Sequence, residues 1–363
     1  MASPLGNGPL ANVMVTAIGG GGHGEQILKA LLTAGRGRYR IVGADANPQC
    51  AQFALCDDHV VLPAARDPEY LDRLLDVCRK YSINVLFHGC EPELKVFSAN
   101  RALIESKGIL LPINPQKTID LCMDKEATIR FLTEQGFDPP QIWTANTLED
   151  LDAVDLFPVV LKPSVGGGGS LNVHIAQTQR ELKLYGELMR LGDDGNKFVI
   201  QEYVGTPEDE FTVGVLHDLD GCFLNSIALR RELKSTMNVR IRVENRTGRP
   251  ELGPALVVSS GISHGEIGPF EQVTKPCEEI ARAIGARGPV NIQCRFVNGK
   301  VKVFEINPRF SGTTSIRALM GYNEPDVLIR KHCLGENIQP RFPYERGFVA
   351  RSLAESVIKQ AYA

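Results

Sequence analysis

The sequence predicts an α/β part followed by an α+β part, and two observations carry this prediction. Over residues 13–88, short apolar runs alternate with helical patterns, which is the βαβαβ order of a parallel sheet. Over residues 198–310, strand patterns mostly follow one another directly, which is typical of an antiparallel sheet. A chain of 363 residues has room for about two or three domains.

The first part begins with a strand and ends at a turn. Strands are predicted over 13–18, 40–44 and 84–88, and helices over 25–34 and 69–81. A helix over 92–106 and a short strand over 109–112 then precede the turn at Asn114-Pro115. We therefore predict a first domain over residues 1–118.

The middle part carries a glycine-rich segment between two strands. Asp124 caps a predicted helix that runs to about residue 135. A strand over 159–162 leads into this segment, Ser164-Val165-Gly166-Gly167-Gly168-Gly169-Ser170. A strand over 172–176, a helix over 178–191 and a strand over 198–204 complete a predicted domain over residues 119–204.

Residues 205–363 are predicted to form an antiparallel α+β domain. Its elements are strands over 210–217, 222–229 and 255–260, a helix over 270–284, and two final strands joined at Asn298-Gly299. The polar composition of residues 240–253 predicts a mobile segment that can close over a substrate.

Composition and charge exclude several classes of protein. Hydrophobic residues make up 43% and charged residues 23%, as in an ordinary globular protein. The formal net charge is -3, whereas a nucleic-acid-binding protein is expected to be basic. Nine cysteines without a C-x-x-C pair and seven histidines without zinc spacing predict neither disulfides nor zinc. No apolar run reaches the roughly 18 residues of a membrane span, and residues 1–12 lack the basic and apolar regions expected of a signal peptide. We expect a cytoplasmic protein without membrane or nucleic-acid partners, and leave a homodimer open.

The two final strands carry a cluster of oxygen-bearing side chains. A two-residue turn at Asn298-Gly299 would place Gln293 and Glu305 on opposite faces of the hairpin. A three-residue loop instead gives one buried apolar face, which consists of Val290, Ile292, Cys294, Phe296, Phe304 and Ile306. We therefore predict the three-residue loop, and the opposite face then gathers Asn291, Gln293, Glu305 and Asn307.

This cluster, together with three other features, favours a site for a magnesium nucleotide. Mg²⁺ prefers oxygen ligands and often shares them with phosphate. Lys162 precedes glycines whose backbone can approach a phosphate, and Lys125 lies at a helix start, which favours anions. Residues 201–205 end a strand with backbone groups suited to an adenine edge, and Glu210 follows at a spacing suited to ribose. Each feature has a plainer alternative: an exposed hairpin face, a flexible linker or surface charge.

In their order along the chain, these residues resemble the ATP-grasp superfamily, most closely carbamoyl-phosphate synthetase and the single-chain carboxylate–amine (amino-acid) ligases. The resemblance covers residues 13–335. Its most specific motif is Phe304-Glu305-Ile306-Asn307-Pro308-Arg309-Phe310-Ser311-Gly312, preceded by Asn291-Ile292-Gln293. The resemblance implies an ATP-grasp fold with an N-terminal Rossmann-like pre-ATP-grasp domain.

The resemblance also implies a role for each matching residue. Gln293, Glu305 and Asn307 would hold Mg²⁺, or Mn²⁺ in its place, between the phosphates of ATP. Arg309 would stabilise the phosphorylated intermediate, with Lys162 as a second catalytic cation. ATP itself would contact Lys125, Lys162, Ser164, Gly167, Gly168, Gly169, Ser170, Glu202, Tyr203, Val204 and Glu210.

The departures from the synthetase favour a stand-alone ligase. Lys125 and Lys162 replace arginines, the glycine loop is shorter, and Gly312 lies where a second arginine often follows. A ligase of this type would phosphorylate a carboxylate, condense the acyl phosphate with an amine, and release ADP and phosphate. Its partners would be a small-molecule carboxylate and a small-molecule amine.

Residues that contact the carboxylate and the amine are less well defined by the sequence. Arg231, in a basic cluster with Arg230 and Lys234, is placed among the catalytic residues as a ligand of the γ-phosphate or of a substrate carboxylate. A solvated loop is the plainer alternative for that cluster. Further candidates facing the cleft are Glu91, Glu93, Thr313, Thr314 and Arg317.

Three other functions compete with the ligase. A dinucleotide oxidoreductase is indicated by the G-x-G-x-x-G turn over residues 19–24 with Asp45 after the next strand. A serine hydrolase is indicated by G-x-S-x-G over residues 261–265, but no helix pattern follows at once. A nucleotide sensor on the same scaffold would keep the ATP site without turnover.

Overall fold

The computed structural model describes residues 8–164, 172–193 and 197–352, and its first sheet is parallel. The strands are β1 (Asn12–Val15), β2 (Arg40–Asp45), β3 (Asp58–Val61) and β4 (Val85–Phe87), in the order β3-β2-β1-β4. Four helices accompany it: α1 (His23–Thr33), α2 (Tyr70–Lys80), α3 (Glu91–Ala99) and α4 (Arg101–Glu105). The predicted parallel sheet is confirmed, and β1 lies at its centre between β2 and β4.

Two details of this region differ from the prediction. The helix predicted over residues 92–106 is divided at Asn100 into α3 and α4. The strand predicted over residues 109–112 forms only one bridge, from Leu110 to Val85. The sequence also did not indicate β3, because its residues alternate between half-buried and exposed and include an aspartate and a histidine.

The second sheet is antiparallel and has the order β5-β8-β6-β7. Its strands are β5 (Ile142–Ala145), β6 (Val159–Pro163), β7 (His174–Ala176) and β8 (Phe198–Glu202), and the helices are α5 (Gln116–Met123), α6 (Lys125–Glu134) and α7 (Gln179–Leu188). As predicted, Asp124 caps α6, since its carboxylate accepts a hydrogen bond of 3.1 Å from the Ala127 N–H. This cap fixes Lys125 at the helix start.

The third sheet has six strands in the order β15-β14-β9-β10-β13-β16, all antiparallel to their neighbours. They are β9 (Glu210–His217), β10 (Phe223–Arg231), β13 (Gly265–Ile267), β14 (Pro289–Val297), β15 (Lys300–Asn307) and β16 (Gly347–Val349). Helices α8 (Glu271–Ala283), α9 (Thr314–Leu319) and α10 (Glu324–His332) complete this region. The division of the chain at residues 118 and 204 stays a prediction.

The segment expected to be mobile is regular structure for much of its length. Residues 239–244 form β11 (Val239–Glu244), which pairs with β12 (Ala255–Ser259), and a short 3₁₀ turn lies between them. Ile241 and Val243 pack against the cluster of Tyr203, Leu252 and Leu256. No strand was predicted here because three apolar residues alternating with charges are a weak strand signal, and closure of the segment over a substrate stays a prediction.

The hairpin of β14 and β15 corrects the predicted loop. Asn298 and Gly299 have φ angles of 51° and 77°, and Val297 pairs with Lys300, so the turn has two residues rather than three. The extra residue lies at a β-bulge, where Phe304 is unpaired between Val303 and Glu305. Gln293 therefore still pairs with Glu305, as predicted, whereas Phe304 is half-buried outside the core.

One hydrophobic core joins the beginning and the end of the chain. It contains Val13 and Ile27 together with Ile316, Leu328 and Phe310. The rings of Phe87 and Phe310 meet edge to face with centroids 5.4 Å apart. Because Phe310 follows Arg309, this core holds the carboxyl ends of β1 and β4 beside the segment after β15. Among the described helices, none is both long and apolar enough to cross a bilayer.

Candidate active site

An open cleft lies between the second and third sheets. It is lined by the predicted site residues Lys125, Lys162, Glu202, Tyr203, Val204, Glu210, Arg231, Gln293, Glu305, Asn307 and Arg309. Ser164 is placed beside this set, since its carbonyl accepts a hydrogen bond of 3.2 Å from the Lys125 N–H. Gly167, Gly168, Gly169 and Ser170 lie outside the described residues.

Three oxygen-bearing side chains from the hairpin face this cleft. Gln293 Nε2 donates to Glu305 Oε2 over 2.9 Å, and Asn307 Oδ1 accepts from Arg309 Nη2 over 2.9 Å. Asn291 differs, because its amide oxygen already accepts hydrogen bonds from Thr212 and Arg317. The cluster that the sequence predicted therefore offers Gln293, Glu305 and Asn307, while Asn291 supports the sheet.

The chemistry of this donor set fits a magnesium nucleotide. One carboxylate and two amide oxygens are hard ligands that leave coordination positions for phosphate and water. The cleft also contains donors suited to an anion. Among the described residues, the buried atoms Gln201 Nε2, Arg231 Nε and Arg309 Nε have no hydrogen-bond partner.

Lys162 is held at the centre of the cleft by the strand bulge. Its Nζ donates to Gln201 Oε1 over 2.8 Å and to the carbonyl oxygen of Phe304 over 3.1 Å. Only 7% of Lys162 is exposed, and this burial lowers its pKa to about 8, although the nearby Glu305 carboxylate opposes the shift. The ammonium group is therefore largely protonated at neutral pH and lies beside the proposed metal ligands.

Glu210 is buried between two arginines. Its Oε1 accepts from Arg231 Nη1 over 3.2 Å, and its Oε2 accepts from Arg295 Nη2 over 3.1 Å. Arg231 is further bound by the hydroxyl of Ser259 and the carbonyl of Ser260. Burial lowers the pKa of Arg231, against the attraction of Glu210. The acid predicted to contact ribose is thus part of a rigid charged network in the wall of the cleft.

Arg295 is a site residue to which the sequence reasoning gave no role. Its guanidinium lies 4.4 Å from the centre of the Tyr203 ring and donates to the carbonyl of Val204 over 3.0 Å. It therefore fixes the strand end that was predicted to hold adenine. The sequence feature that could have indicated a role for Arg295 in the site is its position on the same strand face as Asn291 and Gln293.

The predicted basic cluster is divided by the strand. Arg231 lies in the cleft, whereas Arg230 points to solvent and pairs with Glu266. Lys234 is exposed and pairs with Glu232. Successive residues of a strand face opposite sides, so Arg230 and Arg231 cannot act together on one ligand.

Arg309 connects the hairpin to the first sheet. Its Nη2 donates to Glu91 Oε1 over 2.9 Å as well as to Asn307, and its Nη1 donates to the Phe310 carbonyl. Burial by itself would raise the pKa of Glu91, but the charge and hydrogen bond of Arg309 outweigh it and lower that pKa. Glu91 is therefore an ionised carboxylate at this edge of the cleft.

Several residues proposed to face the substrate lie elsewhere. Glu93 is buried and accepts hydrogen bonds from Thr16, Tyr70 and the Gly89 N–H, so it serves the fold. Thr314 and Arg317 are also buried, and both contact Glu324. These three predictions were wrong. Thr313 does line the cleft.

Two N–H donors of the glycine turn after β1 are already bound. The Gly19 N–H donates to Asp45 over 2.8 Å, and the Gly21 N–H donates to Glu25 over 3.0 Å. Two carboxylates thus lie at this turn, and their charge disfavours a dinucleotide phosphate there. A Cβ at Gly24 would lie 2.4 Å from the carbonyl oxygen of Ala17, so this glycine is explained by close packing.

The G-x-S-x-G segment does not form a nucleophile elbow. Gly265 begins β13, and the next helix, α8, starts only at Glu271, so no helix begins directly after Ser263. Ser263 is buried but lines the cleft together with Gly261. The sequence interpretation of this segment as a loop near the ligand agrees with its position.

Two family models match this chain, one in its first third and one in its last third. Residues 15–112 match the model of the PylC-like N-terminal domain. Residues 259–355 match the model described as ATP-grasp in the biosynthetic pathway with Ter operon. The second match contains β14, β15 and the proposed metal ligands.

The chain is also similar in sequence to curated proteins and in fold to solved structures. The carbamoyl phosphate synthase large chain of Caldanaerobacter subterraneus subsp. tengcongensis is 27% identical over 205 residues, or 55% of this chain and 17% of that protein. This chain thus spans only about a fifth of the length of such curated relatives. The crystal structure of an L-amino acid ligase from Bacillus licheniformis matches with a TM-score of 0.62, 18% identity, and coverage of 88% of this chain and 73% of that chain.

A biotin carboxylase from Campylobacter jejuni, solved as a complex with β-γ-ATP, gives a similar result. Its TM-score is 0.61 at 15% identity, covering 88% of this chain and 70% of that chain. At such low identity these structures establish the fold. Together with the family models and the arrangement of the three sheets, they show that the chain has an ATP-grasp fold and that its residues 15–112 are similar to the PylC-like N-terminal domain.

Proposed function

We propose that this protein is an ATP-dependent carboxylate–amine ligase that forms an amide or peptide-like bond and releases ADP and phosphate. The observation that carries the proposal is the meeting of Glu305, Asn307 and Arg309 with the buried Lys162 in one cleft. Two cations and an oxygen-ligand set in one place suit phosphoryl transfer, which depends on positioning and charge stabilisation.

In this proposal each group has a definite task. Lys162 and Lys125 bind the phosphates, while Tyr203, Val204 and Glu210 form the wall for adenosine. Gln293, Glu305 and Asn307 would hold Mg²⁺, which would neutralise phosphate charge and orient the γ-phosphoryl group. Arg309 stabilises the acyl phosphate that forms when the substrate carboxylate attacks.

The reaction needs no nucleophilic side chain. The carboxylate oxygen attacks the γ-phosphorus and ADP leaves. The amine then attacks the carbonyl carbon and phosphate leaves. In this proposal Arg231 is a rigid cation in the wall of the cleft that neutralises Glu210.

Trapping of the acyl phosphate tests this function. The protein is incubated with Mg²⁺, ATP and hydroxylamine, with bicarbonate or each of the twenty proteinogenic amino acids as carboxylate donors. The proposal predicts that a specific carboxylate raises ADP release and yields an equal amount of hydroxamate. ATP binding without carboxylate-dependent ADP release would instead favour a nucleotide sensor.

A further inference from the structure

A separate cavity lies at the carboxyl edge of the first sheet. Its volume is about 330 Å³, and it shares no lining residue with the cleft. All four parallel strands contribute to it where they end, through Ala17 after β1, Asp45 in β2, residues 62–66 after β3 and Cys90 after β4. Ligands of open parallel sheets bind in the crevice outside this edge, in sites of roughly 300 to 1,000 Å³. We name it the edge cavity.

Short apolar side chains form most of the wall of the edge cavity. Those from the ends of β2 and β3 belong to Ala44, Ala46, Leu62, Pro63 and Ala64. An apolar wall favours a ligand with an apolar body, because water leaves both surfaces when they meet. A cavity of about 150 Å³ holds benzene. The edge cavity therefore has room for one aromatic ring and a second group of similar size.

Asp45 supplies hydrogen-bond acceptors to the edge cavity. Its Oδ1 accepts from the Asn47 N–H over 2.8 Å, and its Oδ2 accepts from the Gly19 N–H over 2.8 Å. A carboxylate can accept about four hydrogen bonds, so each oxygen keeps a lone pair for a ligand. Both partners are uncharged, and no lysine or arginine among the described residues forms an ion pair with this half-buried side chain. Asp45 is thus suited to accept from ligand hydroxyl groups.

Arg66 supplies a planar cation to the edge cavity. Its side chain is exposed and forms no hydrogen bond or ion pair with the described residues. Glu93 is the remaining charged residue of the wall, but it is 5% exposed and both of its oxygens are already bound. Asp45 and Arg66 have opposite charges, so an uncharged ligand needs no counter-ion here. A guanidinium group also stacks well on an aromatic ring.

The glycine turn next to the edge cavity disfavours a phosphate. The bond from the Gly19 N–H to Asp45 shows that the turn and the cavity adjoin. Glu25 adds a second carboxylate, which accepts from the Gly21 N–H over 3.0 Å. Lys29 compensates Glu25, whereas Asp45 has no such partner among the described residues, so Asp45 contributes most of the repulsion. A ligand that extends a phosphate to this turn is therefore disfavoured.

We propose that the edge cavity binds a nucleoside without phosphates, at a site separate from the proposed ATP cleft. The ribose hydroxyls donate to Asp45, the base packs on the apolar wall, and Arg66 stacks over the base. An acidic residue after the second strand holds ribose in this way in parallel sheets that bind dinucleotides. In this chain the ribose acceptor and the apolar wall are present, whereas the turn that would hold the phosphates carries carboxylates.

Isothermal titration calorimetry with adenosine, guanosine, cytidine and uridine tests the proposal. At least one of them should bind with a Kd below about 1 mM, as expected for a ligand of this size. For the nucleoside that binds most tightly, the 2′-deoxy form should have a Kd at least about tenfold higher, because one hydrogen bond to a carboxylate is lost. The 5′-monophosphate should also bind more weakly at this site. The cleft is expected to show the opposite dependence, since phosphates strengthen binding there.

Three variants locate the bound nucleoside. A64W places an indole ring in the edge cavity at an exposed position and should abolish nucleoside binding. R66A removes the stacking cation and should raise the Kd about two- to fivefold. R36A removes another exposed arginine, after α1, and is the matched control that should leave the Kd unchanged. All three should keep the melting temperature and the Kd for ATP close to wild type, since none of these residues lines the cleft.

Several results would overturn the inference. One is the absence of binding by all four nucleosides. Another is an equal Kd in wild type, A64W and R66A together with displacement of the nucleoside by Mg²⁺ and ATP, which would assign binding to the cleft. If A64W does not fold, R66A and the 2′-deoxy nucleoside decide the question. The experiment requires no turnover, so failure of the ligase reaction would leave this inference standing.

Discussion

The glycine turn after β1 and the hairpin of β14 and β15 both match a ligand-binding pattern in the sequence. They differ in whether their polar groups are bound by neighbouring side chains or line an open cleft. In the turn, Asp45 and Glu25 occupy the N–H groups of Gly19 and Gly21. In the hairpin, oxygens of Glu305 and Asn307 lie in an open cleft beside two cations.

The difference teaches that a pattern becomes a site only where its polar groups remain available to a ligand. A phosphate at the turn would have to displace two carboxylates and then lie beside their charge, which is strongly unfavourable. At the hairpin, the oxygen ligands line the same cleft as Lys125, Lys162 and Arg309. Predictions that separate the two regions therefore test this account.

Loss of the metal ligand Glu305 should have the largest effect. E305A removes the charged member of the ligand set, so we expect carboxylate-dependent ADP release to fall by at least about 10³-fold. Circular dichroism and the melting temperature should stay close to wild type, since Glu305 is half-buried at the cleft. Activity within tenfold of wild type would contradict the metal assignment.

Loss of Lys162 should have a moderate effect on ATP binding. K162A removes a charge-assisted contact to phosphate worth about 1.5 to 3 kcal/mol, which corresponds to a rise in the Kd for ATP of roughly 10- to 150-fold. Because the pKa of Lys162 is lowered to about 8, wild-type affinity should also fall as the pH rises from 7 to 9. Isothermal titration calorimetry measures the Kd for ATP of K162A and the change in the wild-type Kd with pH.

An arginine at this position is the matched control for the pH dependence. The charge of K162R does not titrate in this range, so its ATP affinity should change less between pH 7 and pH 9. Glu305 and Lys125 also act on Lys162, and both remain in this variant. The same pH dependence in K162R and wild type would assign the titration to another group.

Substitution in the glycine turn should have the smallest effect on ATP. D45A leaves the Gly19 and Asn47 N–H groups without their acceptor, which costs about 1 to 3 kcal/mol of stability and lowers the melting temperature by several degrees. The Kd for ATP should stay within twofold of wild type. D58A, which breaks the exposed pair with Arg40, is the control and should cost no more than about 1 kcal/mol.

The sequence predicted features that depend on local periodicity. The parallel sheet follows from alternating strand and helix patterns, and the pairing of Gln293 with Glu305 follows from the need to bury one face of a hairpin. Asp124 was recognised as a cap because the capping residue precedes its helix directly. These features involve residues that are close in sequence.

Features that depend on distant contacts could not be predicted in this way. The bulge at Phe304 is held by Lys162, 142 residues earlier, so the extra residue was assigned to the turn instead. The pair of Arg309 with Glu91 spans 218 residues and arises from the core shared by the two ends of the chain. Burial of Thr314 and Arg317 likewise reflects packing that no local pattern specifies.

The most direct measurement of the central claim is thermal unfolding of the wild type alone, with Mg²⁺ and ATP, with ATP and a chelator, and with NADH. A ligand at about 100 times its Kd adds roughly 2.7 kcal/mol of stability, which raises the melting temperature by several degrees. The account predicts a rise that requires ATP and is greatest with Mg²⁺, and no rise with NADH. A rise with NADH and none with Mg²⁺ and ATP would place the ligand at the glycine turn and contradict the account.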